Sequence, residues 1–437
     1  MNRRILHLAI PSIVSNITVP LLGLVDVTIV GHLGATAYIG AIAVGGLLFN
    51  ILYWNFGFLR MGTSGLTSQA YGRKDKDAEM RVLVQAVSVG LFSALAMLIL
   101  QYPIERLAFW LLDTSAEVEQ YAVTYFRICI WGAPAMLAQY GFTGWFIGMQ
   151  NSRYPMYIAI VMNVINIVCS SCFVFLFGMK VEGVALGTVV AQYSGVIMAL
   201  GLWFYNYKEL RGRMTFKGSL QLIAMRRFFA VNRDIFLRTL CLIGVTTFFT
   251  STGARQGDVI LAVNTLLMQL FTLFSYIMDG FAYAGEALSG RYVGACNLVQ
   301  LKRAVRALFG WGGGLSLVFT LLYGIGGENF LRLLTNDKIV IETAGHYFYW
   351  VLAIPLAGFA AFLWDGILIG ATATRFMLWS MLVASGSFFV IYYCFSGATN
   401  NHMLWLAFLV YLALRGGMQT LWSRRVFTLE YLQRLRS

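Results

Sequence analysis

The sequence predicts an all-α polytopic membrane protein: twelve transmembrane helices in two six-helix bundles related by an internal repeat. Three observations carry this. Of the 437 residues 59% are hydrophobic and only 12% are charged, about half the charged share of a typical soluble domain. The apolar residues gather into runs of the roughly 20 residues that a helix needs to cross a bilayer. Lys and Arg concentrate in alternate connections between those runs, the asymmetry that orients helices in a membrane. It also accounts for the net charge of +13 without nucleic acid, whose binding would gather basic residues on one soluble face.

In order, residues 5–30 follow Arg3 and Arg4. This run is longer than the apolar core of a signal peptide and lacks an A-x-A cleavage site, so it reads as a retained first span. Residues 38–68 and 82–102 flank Arg73, Lys74, Lys76 and Arg81. Only Arg106 lies between the third span and the fourth, 118–148, and Arg153 opens the fifth, 154–177. Lys180 precedes the sixth, 184–205. The second six are 235–253, 259–290, 304–325, 340–370, 376–395 and 403–422. Arg255, Arg332 and Lys338 fall at one set of their ends, and Arg291, Lys302, Arg303, Arg306, Arg375, Arg424 and Arg425 at the other. The richer set is cytoplasmic by the positive-inside rule. Both termini are then inside, as an even number of spans requires.

The longest and most basic connection separates six spans from six. The expected organisation is a bundle at 1–206, a basic cytoplasmic linker at 207–233 and a second bundle at 234–437. Within the linker Phe216, Leu220, Ile223, Phe228 and Phe229 alternate with Lys217, Arg226 and Arg227. That pattern suits an amphipathic segment on the leaflet surface, and a solvated linker is the other reading.

The halves match at a constant spacing. Gly72 and Gly294 are 222 positions apart, and the same spacing pairs Tyr125-Phe126 with Tyr347-Phe348, Ile147-Gly148 with Ile369-Gly370 and Arg153 with Arg375. GWFIG in the fourth span and GILIG in the tenth are both G-x-x-x-G, a spacing that lets helix backbones approach closely. An ungapped match over several spans argues for duplication. Six spans per half give a parallel repeat, an architecture of transporters.

Polar residues present in one half only are then the functional candidates. Asp26 is the sharpest: it lies in an apolar span, and its counterpart is Phe248. An intramembrane carboxylate costs about 3 kcal/mol on insertion scales and is a functional hypothesis by default. Burial disfavours its charged form, which suits it to exchange a proton. Pro11 and Pro20 precede it, and each removes a backbone donor, so this helix is expected to bend. Asn163 and Asn166 in the fifth span and Thr188 and Gln192 in the sixth are possible polar partners, or glue between helices. Arg60, in the middle of the second span, wants a carboxylate. In the second half Asp279, Asp365 and Met268 are candidates for a cavity lining. Arg127, Arg238 and Arg415 fall inside spans or near their ends, and snorkelling accounts for those near the ends.

Cys169-Ser-Ser-Cys172 has metal or redox spacing, but no second pair or nearby His completes a site; small residues packed between helices are the better reading. No Walker A stretch and no paired His/Asp motif occurs, so neither direct ATP use nor enzyme activity is expected, and no cofactor or metal. Energy would come from an ion gradient.

PSIVSNITVPLLGLVDVTIVGHLG, then FLRMGTSGLTSQAYG, MDGFAYAGEALSGRYVG and WDGILIGATATR, together resemble the multidrug and toxic compound extrusion (MATE) family, in its DinF-like (DNA-damage-inducible-F-like) branch. The resemblance covers nearly the whole chain. It implies a monomeric inner-membrane antiporter of two six-helix bundles that exports organic, often cationic and amphipathic compounds in exchange for H+ or Na+. It implies that Asp26 is the ion-coupling carboxylate and that Pro11 takes part in bending the first helix. Relatives with a second acid in the fifth helix are matched here by Asn163, Asn166, Ser170 and Ser171, without a carboxylate. Asp365 matches the tenth-helix acid of Na+-dependent branches, but the seventh span has no acid, which favours H+. The alternative is a flippase for a lipid-linked substrate, a related fold, which would want several basic cavity residues.

Overall fold

A computed structural model describes residues 1–31, 36–111, 115–214, 216–335, 337–395, 401–428 and 430. The end of the Pro11-to-Gly34 motif, from His32, lies outside them. The described residues form α-helices, short 3-10 and π turns and no strand. That follows from the setting: in hydrocarbon every backbone N–H and C=O must be paired within the segment, and a helix does this alone.

The chain divides into two compact units, Val14–Asn232 and Met1–Ile13 with Arg233–Ser437, here the N-unit and C-unit. The N-unit takes most of α1 (Asn2–Gly31), then α2 (Thr36–Asn55), α3 (Gly57–Arg73), α4 (Lys76–Ile99), α5 (Gln101–Leu111), α6 (Ala116–Cys129), α7 (Ala133–Gly148), α8 (Arg153–Ser171), α9 (Val181–Asn206), α10 (Lys208–Arg211) and α11 (Phe216–Ser219). The C-unit takes most of α12 (Leu222–Arg255), then α13 (Asp258–Gly294), α14 (Leu298–Leu334), α15 (Lys338–Gly370), α16 (Thr374–Phe395) and α17 (Asn401–Val426). Both divisions fall inside helices. The first turns of α1 belong to the C-unit, where Ile13 and the Ala9 carbonyl fill the space beside Gly280 of α13. The first turns of α12 belong to the N-unit, where the Asn232 amide fills the space beside Gly62 of α3.

Ten helical stretches among the described residues are long and apolar enough to cross a membrane. Two further expected spans coincide with α1 and with α6 plus α7, which a 3-10 turn at Ile130–Gly132 separates. Pro134 in the first turn of α7 explains the break, since it cannot donate to a continuing helix.

The duplication shows in the turns. α3 ends on Lys74 in the left-handed region (φ 59°), and 222 positions later Cys296 does the same (φ 53°). Behind each, Asp75 N–H donates to the Ala70 carbonyl at 3.0 Å and Asn297 N–H to the Tyr292 carbonyl at 2.9 Å, the Schellman closure of a helix. The same two residues then cap the next helix: Asp75 Oδ1 accepts from Ala78 N–H and Asn297 Oδ1 from Gln300 N–H, both at 3.0 Å. Gln150 (φ 65°) and Thr372 (φ 50°) are a second left-handed pair at that spacing.

The glycines repeat too. A Cβ on Gly144 would lie 2.2 Å from the Arg60 carbonyl oxygen, and one on Gly366 2.1 Å from that of Ala282. A Cβ on Gly370 would lie 2.2 Å from the Glu286 carbonyl oxygen. Helices α3 with α7, and α13 with α15, therefore touch backbone to backbone, as the G-x-x-x-G pair predicts. Gly144→Ala and Gly366→Ala are each expected to destabilise by about 1–3 kcal/mol, the overpacking range. Gly386→Ala, where nothing stands within 4 Å of the new carbon, is the control and should gain up to about 1 kcal/mol of helix propensity. Unfolding midpoints in detergent check this, and equal shifts for all three would refute the packing account.

The basic linker is not a free strand of chain. Lys76 pairs with Glu209, Arg213 Nη1 sits 2.9 Å from Asp77 Oδ1, and Gln85 Nε2 donates to the Ser219 carbonyl at 2.9 Å, fastening α10 and α11 to α4. Leu210 and Phe228 are buried, while Leu220, Ile223 and Phe229 are exposed. Leu210 belongs to a buried cluster with Met80, Leu83, Trp145 and Phe146, so this connection packs in part on the N-unit.

Candidate functional site

The N-unit gathers a set of polar side chains on α1, α2, α6, α8 and α9. Asp26 on α1 is 5% exposed, and its Oδ1 is buried without a hydrogen-bond partner among the described residues. Tyr125 and Cys129 of α6 are buried in the same unit. Tyr125 can lie there because α2 carries Gly45 opposite it; a Cβ on that glycine would stand 2.3 Å from the tyrosine ring. Cys129 is buried and its Sγ faces the Ala185 carbonyl of α9 at 3.8 Å.

The four expected polar partners take different roles. Asn163 Nδ2 donates to the Thr18 carbonyl at 3.0 Å and so ties α8 to α1 two residues before Pro20. Asn166 Nδ2 donates to Thr188 Oγ1 at 3.0 Å, and that hydroxyl donates to the Val184 carbonyl, joining α8 to α9. Gln192 places its Oε1 against Gly132, where a Cβ would be 1.7 Å away. These are interhelical ties. They are also incomplete: Asn166 Oδ1, Gln192 Oε1, Ser170 Oγ and Tyr53 OH are, like Asp26 Oδ1, buried and unpartnered among the described residues. An unsatisfied buried polar atom costs about 1–3 kcal/mol. These atoms are distributed over α1, α2, α8 and α9 of one unit, and unpaired buried polar atoms of this kind call for an explanation, a proton or cation received there among them.

Pro11 is buried in the part of α1 that belongs to the C-unit, and Pro20 is exposed in the part that belongs to the N-unit. Arg60 is buried on α3, where its carbonyl meets Gly144. Asp279 and Met268 are half-buried on α13.

Asp365 is in a network of its own. It accepts from Nη2 of both Arg238 on α12 and Arg415 on α17, and Gln419 Nε2 donates to its Oδ1 at 2.8 Å. Arg238 is 7% exposed and Arg415 2%. Snorkelling therefore accounts for neither arginine: both turn inward, because a buried guanidinium is stabilised by a carboxylate more than by an interface several residues away. The signal was present in the position of Arg415, well inside its span. Neither Asp279 nor Met268 is one of the three side chains that donate to Asp365. Arg127 does pair outward, with its Nε and Nη2 each 2.8 Å from the Glu105 carboxylate. Tyr53 and Tyr125 carried no local signal, since an aromatic residue in a membrane helix reads as packing.

A family model described as MatE matches residues 11–172 and 235–394, one stretch in each half. The chain is 40% identical to the DNA damage-inducible protein F of Escherichia coli (strain K12) over 96% of its own length and 91% of that protein's. It is 24% identical to a probable multidrug resistance protein NorM of Thermotoga maritima, covering 78% of this chain and 74% of that one. Among solved structures, a MATE crystal structure in the bent conformation superposes with a TM-score of 0.85 at 18% identity, covering 99% and 96% of the two chains. The Vibrio cholerae MATE transporter VcmN in the bent form gives 0.83 at 16%, covering 97% and 96%. At that identity the structures speak for the fold.

Proposed function

The chain belongs to the MatE family of membrane transporters, and on that premise we propose that it is a secondary antiporter exporting organic, often cationic and amphipathic compounds in exchange for H+, with Asp26 as the ion-coupling carboxylate. The observation that carries this reading is the buried Oδ1 of Asp26, which has no hydrogen-bond partner among the described residues. A carboxylate held for structural reasons would be hydrogen-bonded. This one is left open to a passing ion.

Two observations favour H+ over Na+. Helix α8 offers Asn163, Asn166 and Ser170 but no second carboxylate, and the α15 carboxylate is already taken by two guanidinium groups. One acid exchanging one proton needs no further ligand, whereas a bound metal cation must be surrounded by several oxygen ligands. The prolines fit the same scheme. Helix α1 starts in the C-unit and continues in the N-unit, with Pro11 before the crossover and Pro20 after it, so a bend between them changes the setting of Asp26. The wider expectations go with this reading: twelve spans, both termini cytoplasmic, the inner membrane of the cell, a monomer.

Purified protein in liposomes decides the ion. A cationic dye is expected to move under an imposed pH gradient at equal Na+, and to stay at the leak rate under an imposed Na+ gradient at equal pH. Full transport under the Na+ gradient alone would overturn H+ coupling.

A further inference from the structure

The Asp365 network has a charge surplus. It holds two guanidinium groups and one carboxylate, all at least nine-tenths buried, and the charged groups acting on Asp365 are Arg238 and Arg415. Arginine does not shed its proton in proteins, so the surplus cannot be removed by neutralisation. Its donors are not used up either: Arg238 Nε and Arg415 Nε are buried with no hydrogen-bond partner among the described residues. Gln419, fully buried, spends its amide N–H on Asp365 and leaves Oε1 unpartnered. The face of Phe362 lies 5.8 Å from the Arg415 guanidinium. The position 222 residues before Asp365 is Thr143, so this charged network is not a product of the shared scaffold.

Resting on the transport reading above, we propose that the C-unit carries an anion-accepting subsite for the exported compound. Arg238 and Arg415 take a carboxylate, sulfonate or phosphate group through their free Nε donors, Gln419 Oε1 accepts from a hydroxyl or amide beside it, and Phe362 meets the ligand's apolar body. A hydrogen bond from an ionised donor to an oxyanion is shorter and stronger than one between neutral groups, and two such N–H groups converge on the one anion. The bound anion restores neutrality: two positive charges then face two negative ones. The cargo class this adds is that of amphipathic anions and zwitterions. A cation is repelled from the same place.

The test is equilibrium binding of naphthalene-2-sulfonate and of the uncharged naphthalene-2-sulfonamide to the full-length protein in neutral-lipid nanodiscs. The sulfonate should bind at least about tenfold more tightly than the sulfonamide, the value of one lost charge-assisted contact. Arg238→Gln should remove that preference, Arg238→Lys should keep most of it, and Asp26→Asn should leave it unchanged. Equal affinity for the two probes, no binding of either, or an undiminished preference in Arg238→Gln overturns the subsite. Should Arg238→Gln not fold, the probe pair on the parent and on Arg238→Lys still decides. If Asp26→Asn transports fully while the sulfonate preference persists, the coupling role fails and the subsite stands.

Discussion

Asp26→Asn is expected to reduce pH-gradient-driven dye transport in proteoliposomes to the rate of protein-free vesicles, with the variant still inserted and folded. Asparagine has nearly the shape of aspartate and keeps an acceptor at the Oδ1 position, so packing on α1 is preserved. What it loses is the exchangeable proton. Because the buried Oδ1 has no hydrogen-bond partner among the described residues, the substitution breaks no tie at that atom, and the thermal unfolding midpoint should not fall. Transport and stability thus separate. Equal transport by Asp26→Asn and parent would remove Asp26 from the coupling step, while a collapse of stability would make it a structural residue.

The scaffold was legible in the sequence because its determinants are local. Hydropathy windows marked the spans, and the spacing of 222 between Gly72 and Gly294 marked the duplication. The structure repeats that spacing at left-handed turns on Lys74 and Cys296, residues that no glycine pattern would single out. The candidate carboxylate was legible too, because a single charge in an apolar run is conspicuous. Which helices face each other was not. Arg238, Asp365 and Arg415 are separated by 127 and 50 residues, and no periodicity says that α12, α15 and α17 turn those positions toward one another. The ends of spans were equally deceptive: Arg238 sits three residues into its run, where an interfacial role and a buried one look alike. The packing of the basic connection was hidden for a related reason, since Leu210 is buried against residues of α4 and α7 that are distant in sequence.

Asp365→Asn should behave in the opposite way to Asp26→Asn. It removes the one carboxylate from between two buried guanidinium groups, and breaking such a group by deleting one partner costs about 3–5 kcal/mol, because a charge is left uncompensated in a low-dielectric interior. The unfolding midpoint in detergent is therefore expected to drop steeply. The triple replacement Asp365→Leu, Arg238→Met, Arg415→Met should recover most of that loss, as apolar side chains of similar volume do when a whole buried ion cluster is replaced. Such recovery is non-additive and would identify charge imbalance, rather than lost volume, as the cause. If Asp365→Asn proved as stable as the parent, the two arginines would have another counter-charge, and both this account and the surplus behind the anion subsite would fall together. The comparison of the two carboxylates then carries the larger point. In a duplicated scaffold whose turns and glycine contacts repeat, each unit buries a carboxylate that the other lacks, unpartnered at Oδ1 on α1 and held by three side chains on α15. On the proposed reading, the first is the one that changes its state during transport.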